Sequence, residues 1–344
     1  MHDGERIAVR RYSPHMSRDS RLSTALADGA LQIPGGGVTV MRPGMTYDVG
    51  AIPRDQVTIQ HTFRPDYAAW EAAGYPVQQE CPKDAKMAVV VVPRAKALAK
   101  AMIAEAARIA DIVVVDGAKT DGIDSLYKAC RKAVGDLPSI TKAHGRLFWF
   151  GQTDVFADWT APQPVKGDHG FFTTAGVFSD GAIDKGSQLL ISALPDRLPK
   201  RIADIGAGWG YLSEHALKKE GIAAIDLIEA EALSLTCARQ NVTDPRANFH
   251  WDDAIQFAPD MAYDGIIMNP PFHVGRSADP SLGRAFIMAA ARLLTPQGKL
   301  WMVANRHLPY EPTLAEAFRN VDTVAQSNAF KVFHATRPRR PGDR

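Results

Sequence analysis

ADIGAGWGYL, residues 203–212, decides how this chain is built. Ala203, Asp204 and Ile205 close a short apolar run. Three glycines follow at alternate positions, and Tyr211 and Leu212 open a helical pattern. A buried strand that breaks into a glycine turn and then a helix starts a doubly wound α/β sheet, with a ligand loop at the strand's carboxyl end. The spacing narrows the ligand. A dinucleotide loop needs Gly-x-Gly-x-x-Gly, and the position of its last glycine is Tyr211 here. Gly206, Gly208 and Gly210 instead alternate, behind Asp204 at the strand end. Glycine permits the tight turn and lets a ligand approach the main chain closely. Asp204 can reach an ammonium directly or through water. Those properties suit S-adenosylmethionine.

Outward from this loop, the second half reads as strands at 201–205, 222–228, 248–251, 265–268, 300–304 and 330–336. Helices are expected at 211–219, with Gly221 as its C-terminal cap, and at 231–241, 281–294 and 312–318. The second strand ends at Glu229, which can accept bonds from both ribose hydroxyls; its competitor Asp226 lies mid-strand. The third ends at Asp253, placed to bind the adenine amine, with Asp252 as the weaker alternative. Three acids after three successive strands line one sheet edge, where open α/β sheets bind ligands.

The fourth strand ends in IIMNPPFHVG, 266–275. Two prolines cannot donate ladder bonds, so the strand stops at about Asn269 and the turn is rigid. The Asn269 amide oxygen and the Pro270 carbonyl can then hold both protons of one planar amino group. That directs the nitrogen lone pair at a sulfonium methyl. Pro271 fixes the turn, and Phe272 offers a ring for a planar base to stack on. This chemistry fits transfer to a conjugated exocyclic nitrogen: adenine N6, guanine N2 or a glutamine amide. It needs no metal.

The first half repeats the layout. Strands at 38–41, 57–60, 87–92 and 112–115 alternate with helices at 95–110 and 125–134, and the continuous apolar strands imply a parallel sheet covered on both faces. PRAK follows the 87–92 strand where an Asn-Pro-Pro-Phe would stand. IPGGGV, 33–38, precedes its strand and cannot cradle a ligand at the strand's end. APQPVKGD, 161–168, has linker composition. The expected domains are 1–160, a degenerate copy, and 161–344, catalytic.

GVFSDGAIDKGSQLLISAL at 176–194, DIGAGWGYLS, NPPFHVG, VANRHLPYE at 303–311 and FKVFHA at 330–335 together resemble the bacterial guanine-N2 ribosomal RNA methyltransferases, both the C-type enzymes of the small subunit and their G-type relatives of the large one. The resemblance covers about 170–336. It implies two tandem Rossmann-like methyltransferase domains, the first degenerate and serving RNA recognition or folding support. It also implies S-adenosylmethionine as cofactor, ribosomal RNA or a ribosomal subunit as partner, and guanine N2 as target, with the small subunit preferred over the large. By the same likeness Phe178, Asp184, Gly186 and Ser187 border the cofactor, HGRLFWF at 144–150 is a hinge, and Lys331 lies near the motif face. Glu229 stands where many members have Asp.

The remaining features are weaker. His273 and Arg276 could meet RNA phosphates, and Asn305, His307 and Tyr310 could border the substrate. The tail TRPRRPGDR, 336–344, reads as a solvated terminus rather than a phosphate-contacting arm. A net charge of +2 does not by itself mark a nucleic-acid binder, and Cys81, Cys130 and Cys237 form no metal or disulfide pattern. With no signal-peptide core and no membrane-length apolar run, a cytoplasmic protein is expected; a monomer is the expected state. A glutamine or DNA-adenine methyltransferase, and a non-catalytic RNA-binding assembly factor, are the competing readings. A dehydrogenase fails on the glycine spacing.

Overall fold

The computed structural model describes residues 20–159, 164–177, 182–271, 273–274, 277–278 and 280–340. By compactness the chain divides into two units: residues up to 61 with 69–160, and residues 62–68 with 161–344. Among the described residues no helix is long and apolar enough to cross a membrane.

The first unit carries α1 (Arg21–Ala27), β1 (Val38–Met41), β2 (Val57–Gln60) and the later part of α2 (Arg64–Ala72). Then come β3 (Val77–Gln78), β4 (Ala85–Val91), α3 (Lys96–Ile109), β5 (Ala110–Ala118), α4 (Ile123–Val134), β6 (Ser139–Lys142) and β7 (Gly145–Gly151). Its sheet order is β3-β2-β1-β4-β5-β7-β6. β7 and β6 run antiparallel, so the sheet is mixed where an all-parallel one was expected. The HGRLFWF segment expected to be a hinge is β7. It pairs with β5 from Ala118↔Gly145 to Ile112↔Gly151, burying Leu147 and Phe148.

The second unit contains a short ladder of β8 (Val165–Lys166) and β9 (Phe172–Thr173), then α5 (Lys185–Ala193), β10 (Arg201–Ile205), α6 (Tyr211–Ala216), β11 (Ala224–Glu229), α7 (Ala232–Asn241), β12 (Ala247–Trp251) and β13 (Tyr263–Met268). A small hairpin of β14 (His273–Val274) and β15 (Ser277–Ala278) precedes α8 (Pro280–Leu293), β16 (Leu294–Asn305), α9 (Glu311–Ala317), β17 (Phe318–Gln326) and β18 (Phe330–Pro338). The sheet order β12-β11-β10-β13-β16-β18-β17 is the same permutation as in the first unit. The duplicated layout is therefore present strand for strand.

The apolar runs explain the layers. Ile202, Ile225, Leu227, Ile267 and Val303 point to one face, under α5, α6 and α7. Ala203, Ile205, Ile228, Ile266, Met268 and Met302 point to the other, under α8 and α9. Strands buried on both sides lose the polar alternation of a half-exposed sheet. Between β10 and β13 the chain order reverses. This is the switch point at which such sheets open a crevice at their carboxyl ends.

Three expectations are corrected. α6 ends at Ala216, so Gly221 is not its cap. Its φ of +94° serves a close approach instead, since a Cβ there would lie 2.2 Å from the Leu198 carbonyl oxygen. β17 has no counterpart in the sequence reading, because FRNVDTVAQ is an edge strand with little apolar alternation. The tail is not solvated as far as residue 340: Arg340 Nη1 donates to the Ala291 carbonyl at 2.9 Å, and Arg339 N to Ala317 at 2.8 Å.

Candidate active site

At the switch point lies a cavity of about 660 Å³, within the usual range of small-molecule sites. Its walls come from the loops that follow β10, β11, β12 and β13, closed by α5 and α8. Gly206, Gly208, Glu229, Asp253, Asn269 and Pro271 all line it.

The glycine loop divides its labour. Gly206, Gly208 and Gly210 all have positive φ, of 73°, 56° and 87°. A Cβ on Gly206 would stand 3.2 Å from the Phe286 ring, and one on Gly210 would stand 2.8 Å from Val242. A Cβ on Gly208 would meet nothing within 4 Å. Gly208 is thus the position where the backbone faces open space, and Gly210 serves helix packing outside the lining.

Glu229 holds this loop. Its Oε2 accepts from Gly208 N and its Oε1 from Glu231 N, both at 2.7 Å. A carboxylate has about four lone-pair sites, so each oxygen keeps acceptor capacity. Burial pushes the Glu229 carboxyl up to about 7, partly offset by those amide bonds. Burial likewise raises Asp204 to about 7. Asp204 is wholly buried below the loop and does not line the cavity. Its Oδ2 accepts from Ser213 Oγ at 2.7 Å, while Oδ1 has no partner among the described residues. Of the two acids after β12, Asp253 lines the cavity and Asp252 does not. Asp252 accepts from Asp253 N at 2.8 Å, and Asp253 from Ile255 N at 2.9 Å. Asp226 is taken up elsewhere, bonded to Tyr263 and Asn248.

The Asn269 side chain has a defined orientation. Its Nδ2 donates to Asp184 Oδ2 and to Ser187 Oγ, each at 2.9 Å. An ionised carboxylate can only accept, so the amide's nitrogen end must face Asp184. The carbonyl end, Oδ1, is then the one left for a ligand. Asp184 is itself set as the N-cap of α5, where Oδ2 also accepts Ser187 N at 2.7 Å. Asp184 and Ser187, expected beside a cofactor, line the cavity and at the same time orient Asn269. Gly186 lies outside the lining, against Phe330, and Pro270 is buried. Phe178, Phe272 and Arg276 lie outside the described residues, as does the side chain of His273.

The remaining candidates are placed away from the cavity lining. Tyr310 is core, its hydroxyl side against Gly283 of α8. Lys331 pairs with Glu311, and His307 is exposed. The sequence reading missed Trp209, Tyr211 and Phe286, which also line the cavity. The first two adjoin the glycine loop, and that adjacency was the available signal. Phe286 falls on the inward face of α8, one turn from Leu282, another lining residue. Phe63 and Pro65 line it too, from far upstream, where nothing local in the sequence marks them.

The Methyltransferase small domain family matches residues 168–334. A ribosomal RNA small subunit methyltransferase C of Shewanella sp. (strain MR-4) is 32% identical over 262 residues, spanning 71% of this chain and 75% of that protein. The protein of that name from Hahella chejuensis is 29% identical over 261 residues, 72% and 76% of the two chains. The one from Psychromonas ingrahamii is 37% identical over 158 residues, 46% and 45%. A solved T. thermophilus 16S rRNA N2 methyltransferase, in complex with AdoMet and guanosine, superposes with a TM-score of 0.75 at 22% identity over 90% of each chain. That likeness shows a shared fold.

Proposed function

Because the chain belongs to the ribosomal RNA small subunit methyltransferase C family, we propose that it moves a methyl group from S-adenosylmethionine to the exocyclic N2 of a guanosine in 16S ribosomal RNA. The observation that carries the reading is the orientation of Asn269: its nitrogen end is tied to Asp184 and Ser187, so an acceptor remains for a donor –NH2 group.

The residues fit the cofactor. Gly208 leaves room for its main chain, Glu229 retains acceptor sites for ribose hydroxyls, and Asp253, on the cavity wall, is assigned to the adenine amine. When bound, S-adenosylmethionine supplies the methyl carbon and a sulfonium leaving group. The chain's own work is positioning. Asn269 Oδ1 and the Pro270 carbonyl hold the two N2 protons, which turns the nitrogen lone pair toward the methyl. As nitrogen becomes cationic, the same oxygens stabilise the developing charge, and one of the two N2 protons then passes to solvent, leaving the neutral methylated base. Phe272 is assigned to stacking the base. The target guanine must leave its stack to enter such a pocket. Residues 161–344 are the catalytic domain in this reading.

Residues 1–160 are the degenerate copy. At the carboxyl end of β5, Asp116 accepts from Arg21 Nε at 2.5 Å and from Tyr47 Oη at 3.0 Å. We assign it to RNA recognition or support, in a monomer acting in the cytoplasm.

The test is to incubate the purified chain with unmodified 16S RNA or small-subunit particles and labelled cofactor, then digest and identify the product by mass spectrometry. N2-methylguanosine at one position is expected. Label on adenine N6, on protein or on large-subunit RNA alone would refute the assignment.

A further inference from the structure

We propose that residues 62–68, carried by the first half of the sequence, form part of the cofactor site, with Phe63 and Pro65 as the apolar wall for the adenosine end. The proposal rests on reading the cavity as the S-adenosylmethionine site.

Three sets of contacts place the segment. Its backbone pairs with the turn after β11. Arg64 N donates to the Ala230 carbonyl at 2.8 Å, Ala232 N donates to the Thr62 carbonyl at 2.9 Å, and Phe63 forms an antiparallel bridge with Glu231. The Trp251 indole N–H, at the end of β12, donates to both Thr62 O at 3.0 Å and Ala230 O at 2.9 Å, clamping segment and turn together. Finally, Tyr67 meets the Trp251 ring edge to face at 5.1 Å, and the Arg64 guanidinium covers both rings at 5.3 and 5.4 Å.

These anchors tie the segment to the loops after β11 and β12, which carry Glu229 and Asp253. Phe63 and Pro65 lie between anchored residues, line the cavity and remain partly exposed. A ring held at a cavity wall by its neighbours' bonds, and not itself buried, is a surface for a flat apolar ligand. A purine is such a ligand, and stacking on an aromatic ring is tolerant of base identity. The role is ligand binding, distinct from the positioning done by Trp251.

The experiment titrates S-adenosylhomocysteine into the full chain by calorimetry, with wild type, Phe63→Ala, Phe63→Leu and Glu229→Ala. Phe63→Ala is expected to raise Kd about tenfold, as loss of one stacking partner does. Tm should stay near wild type, and Phe63→Leu should recover part of the affinity. If Phe63→Ala binds as wild type does while Glu229→Ala loses affinity, the proposal is overturned and the cavity assignment stands. If wild type itself does not bind S-adenosylhomocysteine, both fall.

Discussion

Asn269 Nδ2 and Asp184 Oδ2 lie 2.9 Å apart, joining the proline turn after β13 to the first turn of α5. In the proposed reaction, this bond makes an acid outside the chemistry responsible for the direction of an amide inside it. Asn269→Ala should leave the cofactor Kd near wild type and lower kcat by about 10²–10³-fold, the usual cost of one oriented polar group at a reacting centre. Asp184→Ala should also lower kcat, and should cost about 1 kcal/mol of stability through the lost N-cap. Asp184→Asn, which keeps an acceptor, should restore most of both. Steady-state kinetics and thermal unfolding of the three variants decide it. An Asp184→Ala enzyme with normal kcat would detach Asp184 from the role.

Cofactor affinity should depend on pH through Glu229. Its carboxyl titrates at about 7 in the fold, and only the ionised form offers all its acceptor sites. Below that value the competent fraction shrinks, so Kd for S-adenosylhomocysteine should rise about tenfold from pH 8 to pH 6. Glu229→Gln should bind more weakly and lose most of the dependence. A flat wild-type profile over that range would contradict the assignment.

Asp204 gives the opposite lever on stability. Its folded pKa of about 7 lies above the ordinary carboxylate value, so the fold favours the protonated form. The stability this contributes is complete below about pH 4 and is lost as pH rises to about 7. Asp204→Asn keeps an acceptor for Ser213 and removes the buried charge. Measured by scanning calorimetry without ligand, it should raise Tm at pH 8 by several degrees and much less at pH 5. Equal effects at both pH values would show that burial of the charge is not the cause.

Gly283 should resist the change that usually strengthens a helix. Replacing glycine by alanine inside a helix ordinarily stabilises by about 1 kcal/mol. Here the added Cβ would stand 2.0 Å from the hydroxyl oxygen of the fully buried Tyr310. Gly283→Ala should therefore destabilise, by about 1–3 kcal/mol in urea unfolding. Because α8 also carries Phe286, the displaced helix should weaken cofactor binding as well.

What the sequence made legible was local. The glycine loop, the acids closing successive strands and the proline turn each sit within a few residues of the strand they terminate, so their spacing already places them on one sheet edge. The doubly wound order and the cofactor class were legible for the same reason. Features built by distant pairing were not. FRNVDTVAQ has too few apolar positions to announce an edge strand, and HGRLFWF reads as a connection until its antiparallel partner β5 is known. The direction of the Asn269 amide depends on Asp184, and the cavity wall at Phe63 depends on Trp251. Neither can be inferred from either neighbourhood alone.

The bond from Trp251 to Thr62 spans 189 positions. A ribosome making this chain therefore releases residues 62–68 long before the indole that clamps them exists. Contacts of such separation close late, because the loop entropy must be overcome first. Even after its strands have paired, the second half waits for a segment made 189 positions before Trp251 to return, and a nascent chain interrupted before residue 251 lacks the means to complete that closure.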